Sequence, residues 1–343
     1  MREIEIRENE AGQRFDKFLK KYLREAPPGF LYKMLRKKNI VLNGKKADGS
    51  EKLGVGDKVK LFLSEETIEK FSSGVPEETG SAVVPVIYED SNVLFLNKPS
   101  GMLSQKAAAS DFSVNEYVIS YLLESGQITR EELRAFRPAV CNRLDRNTSG
   151  IIAAGKTLGA LQALTKLFKT REISKYYLCI VKGKITRAAY VDGYLRRDMQ
   201  SRKVKVICRD EYRKEKRPEE FLTIETEYVP LAYTRDRTLL RVHLITGRTH
   251  QIRAHLASIG HPVAGDYKYG DRGFNEPLKK QFHVCSQLLH AYELQMPRLT
   301  GVLETLSEKT FTAEVPGIFW EIIKETAWEH GTQEALEVRH LKR

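Results

Sequence analysis

Nothing in this sequence is long and apolar enough to cross a bilayer; no hydrophobic run approaches the roughly 20 residues that a spanning helix needs. The opening residues, MREIEIRENEAG, are charged and lack the apolar stretch of a secretory signal. Cysteine is scarce. Cys141, Cys179, Cys208 and Cys285 lie tens of residues apart with no C-x-x-C pair, which excludes a zinc ribbon and argues against a disulfide framework. These absences lead us to expect a cytoplasmic protein with reduced thiols and no membrane partner. Acidic residues are in deficit: 45 Asp and Glu stand against 57 Lys and Arg, a formal charge of +12. Such an excess suits either a polyanionic partner or a basic solvated surface, and the placement of the cations decides between them.

What is present is ordinary for a folded chain. With 343 residues, 41% hydrophobic and 30% charged, the protein can bury a real core and divide into two domains. Residues 1–63 read as a small module. RFDKFLKKYLRE carries Phe15, Phe18, Leu19 and Tyr22 at helical spacing, PPG interrupts, and FLYKMLRKKN forms a second short helix. IVLNGKK is a strand entering an Asn-Gly turn, and VGDKVKLFL is a closing strand. A lysine-rich helix is ordinarily solvated surface. Here Lys33, Arg36, Lys37 and Lys38 lie beside a tight turn that adds Lys45 and Lys46, which favours a phosphate-binding patch.

Residues 64–82, SEETIEKFSSGVPEETGSA, have little apolar content and read as a flexible linker. From 83 to 325 strands outnumber helices and do not alternate with them regularly. That pattern predicts an α+β domain with a largely antiparallel sheet, followed by a charged tail at 326–343. TLGALQALTKLFK is a helix with Leu161, Leu164 and Leu167/Phe168 on one side, and THQIRAHLASIG is a helix capped by Thr249 and stopped by Gly260.

GIIAAGKT, residues 150–157, fits the spacing of a nucleotide-binding loop. The context does not fit. RLDRNTS is no buried strand, and Ile151, Ile152, Ala153 and Ala154 read as a strand interior rather than a phosphate cradle. His250, His255 and His261 resemble a metal cluster on paper. However, His250 and His255 are five apart on one helix and face different sides, so we expect no metal there.

Three stretches are left unexplained by packing: NRLDRNTSG (142–150), with Asp145 between Arg143 and Arg146; SKYYLCIVKG (174–183), with adjacent tyrosines; and TGRTHQIRAHLASIGHPVAGDYKYG (246–270), where Arg253 flanks an apolar helix face of Ile252, Leu256 and Ile259. An arginine half-buried there requires an anion. Any one of these alone would more often be a structural pair.

In this order, and with LNKPSGMLS (96–104) before them, the motifs resemble the RluA-type family of RNA pseudouridine synthases over residues 83 to 325. The N-terminal module resembles the alpha-L RNA-binding fold that often precedes that catalytic domain. The resemblance implies an enzyme that isomerises uridine in RNA after flipping the base from its stack, without cofactor. Its invariant Asp falls on Asp145, the cation opposing the burial-driven rise of that carboxyl on Arg253, the active-site tyrosine on Tyr177, and the residue that fills the vacated stack or holds phosphate on Arg143. Ribosomal large-subunit RNA is the expected substrate, tRNA the second, and a monomer the expected state. The rival readings are a non-catalytic RNA-binding protein, which gives no reason to keep those three residues together, and the NTPase already set aside. The family form usually has His at Asn142 and another near Ser104-Gln105. Those departures bear on the choice of RNA target more than on the chemistry.

Overall fold

The computed structural model describes residues 1–72, 83–108, 110–198 and 203–339. Near the N-terminus, strands β1 (Arg2–Glu5), β2 (Ile40–Leu42), β3 (Lys45–Lys46) and β4 (Lys58–Leu61) form an antiparallel sheet in the order β1-β4-β2-β3. Helix Phe15–Tyr22 buries Phe15, Phe18, Leu19 and Tyr22 against it. Pro28 opens helix Pro28–Arg36 in its first turn, where a missing N–H costs nothing. Asn43 and Gly44, at φ 51° and 73°, make the tight turn between β2 and β3, which needs positive φ at both central positions.

The stretch read as a linker is not wholly one. Glu65–Ser72 is a helix whose Ile68 and Phe71 turn inward, with Phe71 and Phe30 ring centroids 4.9 Å apart. Two apolar residues three apart suffice to pin a short acidic helix to an existing core. The rest of that stretch, 73–82, lies outside the described residues. The module also docks on the second domain: Arg7 pairs with Glu132 at 2.7 Å, the Tyr22 hydroxyl donates to Glu131, and Ala135 is buried in the module's core.

The second sheet has eleven strands: β5 (Val86–Glu89), β6 (Val93–Lys98), β7 (Ala139–Val140), β8 (Ser149–Gly155), β9 (Ser174–Lys182), β10 (Ala189–Arg197), β11 (Val204–Ile207), β12 (Leu222–Tyr233), β13 (Arg237–Leu244), β14 (Leu289–Gln295) and β15 (Thr310–Thr312). The order is β11-β10-β12-β13-β9-β14-β8-β6-β5, with β15 on β14 and β7 on β8. Among the described residues every pair is antiparallel except β14 with β8, which gives the α+β, largely antiparallel architecture that the strand-rich pattern predicts. Strands β6 and β8 are buried on both faces, Phe95, Ile151 and Ala153 on one and Leu94, Leu96 and Ile152 on the other, hence their unbroken apolar runs.

All of β8 is buried, so the nucleotide-loop lookalike is a central strand. Lys156 pairs with Glu89 at 2.7 Å, and the Thr157 hydroxyl caps helix Leu158–Thr170. The expected tail also differs. Trp328, Ala335 and Val338 are buried with Phe319, Ile322 and Ile323, and the Tyr292 hydroxyl donates to the Val338 carbonyl at 3.1 Å. Three well-spaced apolar residues outweigh the charges around them; residues 340–343 lie outside the described part.

Candidate active site

Asp145 lies in the loop between β7 and β8, and the LNKPSGMLS segment clamps that loop from one side. The Ser104 hydroxyl accepts the Leu144 N–H and donates to the Leu144 carbonyl, both at 3.0 Å. Ser100 donates to the Asn147 carbonyl at 2.9 Å, and the Gly101 N–H donates to the Arg146 carbonyl at 3.0 Å. Arg146 is turned away from Asp145, its Nε donating to the Gly101 carbonyl at 3.0 Å. The far end of the loop is set by Gly150, at φ 112°. A Cβ there would strike the Ala291 carbonyl of β14, so only glycine permits this approach of the strands.

Arg253 projects from helix Gln251–Ser258 and is only 7% exposed. Its Nη1 donates to Asp145 Oδ2 at 2.9 Å, while Nε and Nη2 reach Asp266 Oδ2 and Oδ1 at 2.7 and 3.0 Å. Burial works against the guanidinium charge, but the Asp266 and Asp145 carboxylates outweigh it and hold Arg253 above its ordinary value. Burial likewise opposes the Asp266 charge, yet Arg253 and the Tyr269 and Lys268 N–H groups hold that carboxyl below its ordinary value. The bidentate pair is thus a fixed mount that aims one remaining N–H of Arg253 at Asp145.

The same helix does not begin on Thr249. Its cap position is His250, at φ 56° and without a side-chain cap, while the Gln251 side chain accepts the Arg248 N–H at 3.0 Å. Bent this way, His250 sets Nδ1 2.9 Å from the Tyr269 hydroxyl and Nε2 3.9 Å from Asp145 Oδ2. Tyr269 also accepts the Val204 N–H at 2.9 Å, which ties this pair to the start of β11. Burial pushes His250 below its ordinary value against the pull of Asp145. His255 is engaged elsewhere, 3.0 Å from the Thr226 hydroxyl.

A cavity of about 340 Å³ opens over Asp145, and Tyr177 and Arg253 line it too. That is the low end of the usual size for a small-ligand pocket. Tyr177 is 7% exposed on the cavity face of β9, and burial, with the nearby Asp145 charge, drives its phenol far above the ordinary value. It therefore enters any reaction as the protonated hydroxyl. Tyr176 is on the other face, its ring stacked on His243 at 4.7 Å and 3.7 Å from the Arg241 guanidinium. Arg143 is exposed at the cavity wall and makes no ion pair among the described residues. Asn142 also lines the wall, tied to β8 through the Ala153 N–H at 2.8 Å. Lys33, Arg36, Lys37, Lys38, Lys45 and Lys46 are all exposed, and none is in an ion pair among the described residues.

Sequence reading assigned no role to Asp266, although it stands in the quoted GDYKYG stretch, nor to Lys98. Lys98 is fully buried, and its Nζ donates to the carbonyls of Pro99, Met102 and Arg146 at 2.8–2.9 Å. Burial pushes this ammonium down to about 7, against the Asp145 charge, while three carbonyl acceptors match its three protons. Lys98→Met should leave those carbonyls unpaired, lower the unfolding free energy by about 3 kcal/mol and slow turnover by loosening the Asp145 loop. An unchanged denaturation midpoint would contradict this.

A carboxylate anchored by a buried arginine, facing a cavity of small-ligand size beside a buried tyrosine, is equipment for acid–base or nucleophilic chemistry. Comparison with known proteins narrows the class. Residues 92–258 match the family described as RNA pseudouridylate synthase. Ribosomal large subunit pseudouridine synthase C of Vibrio cholerae is 32% identical over 301 residues, 85% of this chain and 87% of that protein. The protein of the same name from Escherichia coli K12 is also 32% identical, with the same coverage. Human RNA pseudouridylate synthase domain containing 4 superposes with a TM-score of 0.53 at 22% identity, over 74% of this chain and 92% of its own, and so supports the fold. The chain belongs to the RNA pseudouridine synthase family that its motifs resemble, and it is an isomerase that converts uridine to pseudouridine in RNA.

Proposed function

We propose that the substrate is a uridine of ribosomal large-subunit RNA, flipped into the cavity above Asp145, and that the reaction takes place in the cytoplasm. The observation that carries the site assignment is the Asp145–Arg253 ion pair at 2.9 Å on the cavity wall. Arg253 holds the carboxylate in place through that pair, and the carboxylate acts on the nucleoside as nucleophile or base. Tyr177 stacks on the base and carries a proton to or from its ring carbon through the hydroxyl that burial keeps protonated. Arg143, free to swing at the mouth, fills the stack that the uridine vacates or holds a phosphate. The names of the similar bacterial proteins support the choice of RNA. Pseudouridine mapping of total RNA from cells with and without the gene tests it: a site lost from large-subunit RNA is expected, and a loss confined to tRNA would overturn the substrate.

The N-terminal patch is proposed to hold phosphates of the same RNA. Changing Lys33, Arg36, Lys37, Lys38, Lys45 and Lys46 to Gln should lower the slope of log affinity against log salt by roughly 0.7–0.9 for each phosphate left without its cation. Removing the whole module is a poorer test, because Glu131, Glu132 and Ala135 of the second domain would lose their partners. An unaltered slope would show that the six cations are only solvated.

A further inference from the structure

The cavity is lined by four cations, Arg143, Lys175, Arg248 and Arg253, but by a single carboxylate, Asp145, which Arg253 already engages. Lys175 is the anomaly among them. It is two residues before Tyr177 on β9, so strand alternation puts both side chains on the cavity face. It is 9% exposed, and its ammonium has no hydrogen-bond or ion-pair partner among the described residues. The neighbouring charge that acts on it is not a carboxylate but Arg171, the exposed residue that ends helix Leu158–Thr170. Glu172, the acid beside them in sequence, accepts from the Thr170 hydroxyl at 2.5 Å instead.

A largely buried ammonium next to a second cation is unfavourable in the free protein, and burial lowers its affinity for its proton. A site retains such an arrangement at a net gain when an incoming anion neutralises it. The anions of RNA are its backbone phosphates. We propose that Lys175, backed by Arg171, binds the backbone phosphate adjoining the flipped uridine and so sets how deeply the nucleotide seats against Asp145 and Tyr177. This rests on the reading that a uridine of RNA enters the cavity.

The test uses the full chain and a short RNA containing the mapped uridine, with each flanking phosphate in turn replaced by an uncharged methylphosphonate. For the wild type, one replacement should weaken half-saturation in single-turnover assays by about ten-fold or more, the scale of a hydrogen bond to a charged group. Lys175→Met should lose a similar factor on the unmodified RNA and nothing further on that methylphosphonate RNA, whereas Lys175→Arg should restore most of it. Lys175→Met should also melt no lower than the wild type, because it removes an uncompensated buried charge. That separates it from a structural lysine such as Lys98. Arg171→Gln, at an exposed position, should show a smaller loss on the same phosphate and keeps the test available if Lys175→Met does not fold. Losses that multiply at every phosphate, or a Lys175 effect that vanishes only when uracil carbonyls are replaced by thiocarbonyls, would overturn the proposal. Wild-type turnover of the unmodified RNA reports separately on the function itself.

Discussion

Asp145→Asn is expected to reduce isomerisation by more than about a thousand-fold while RNA affinity stays within a few-fold of wild type. The amide keeps the size of the side chain and can still accept one hydrogen bond from Arg253, so the loop, clamped through Ser100, Gly101 and Ser104, should hold its shape. What disappears is the charge, and with it the proposed nucleophile or base. The groups proposed to position RNA lie elsewhere, on Arg143 and the N-terminal cations, and phosphate binding of that kind sets affinity without entering the chemistry. Single-turnover rates and filter-binding affinities measured on one RNA separate the two effects. Residual turnover above a thousandth of wild type would remove Asp145 from the chemistry, and a collapse of affinity would make it a binding residue.

The second large effect is expected at Tyr177. Tyr177→Phe keeps the ring, and with it the stacking surface and most of the RNA affinity. It removes the hydroxyl, and a lost proton-transfer group costs roughly a hundred- to ten-thousand-fold in rate. Tyr176→Phe is the internal control. Its ring packs between His243 and Arg241 on the opposite face of β9, and the phenylalanine can keep both neighbours. Near-normal turnover and a small stability change are expected there. If Tyr177→Phe turned over normally in single-turnover assays, Tyr177 would be a stacking platform and the proton would leave by another route.

Much of this site can be read in the sequence because its parts sit in separate ordered motifs. Asp145, Tyr177 and Arg253 each occupy a motif position; strand alternation puts Tyr177 and Tyr176 on opposite faces, and the motif says which of them faces the cavity. The need of Arg253 for an anion also follows from its place beside an apolar helix face. Its second anion does not: Asp266 comes from a loop, where no periodicity says which way a side chain turns. Lys98 and Lys175 escape for a related reason. Lysine is ordinarily exposed, and only the three-dimensional structure shows one caged by carbonyls and the other with no side-chain partner among the described residues. The helix at Glu65–Ser72 and the buried Trp328, Ala335 and Val338 were hidden by charged neighbours, because composition averages over the few apolar residues that dock a segment. The start of helix Gln251–Ser258 falls on His250 rather than Thr249 because the site holds the histidine in a left-handed conformation that local capping rules disfavour.

The central claim is that this chain isomerises uridine with its own side chains, Asp145 foremost. The most direct measurement is tritium release from RNA carrying uridine tritiated at carbon 5, with purified protein and neither nucleotide nor added metal. Moving the glycosidic bond from nitrogen to carbon 5 displaces the hydrogen there. Release that tracks pseudouridine formation, and is absent with Asp145→Asn, is the predicted result. Tight RNA binding without release, or release only after a nucleotide is added, would contradict it.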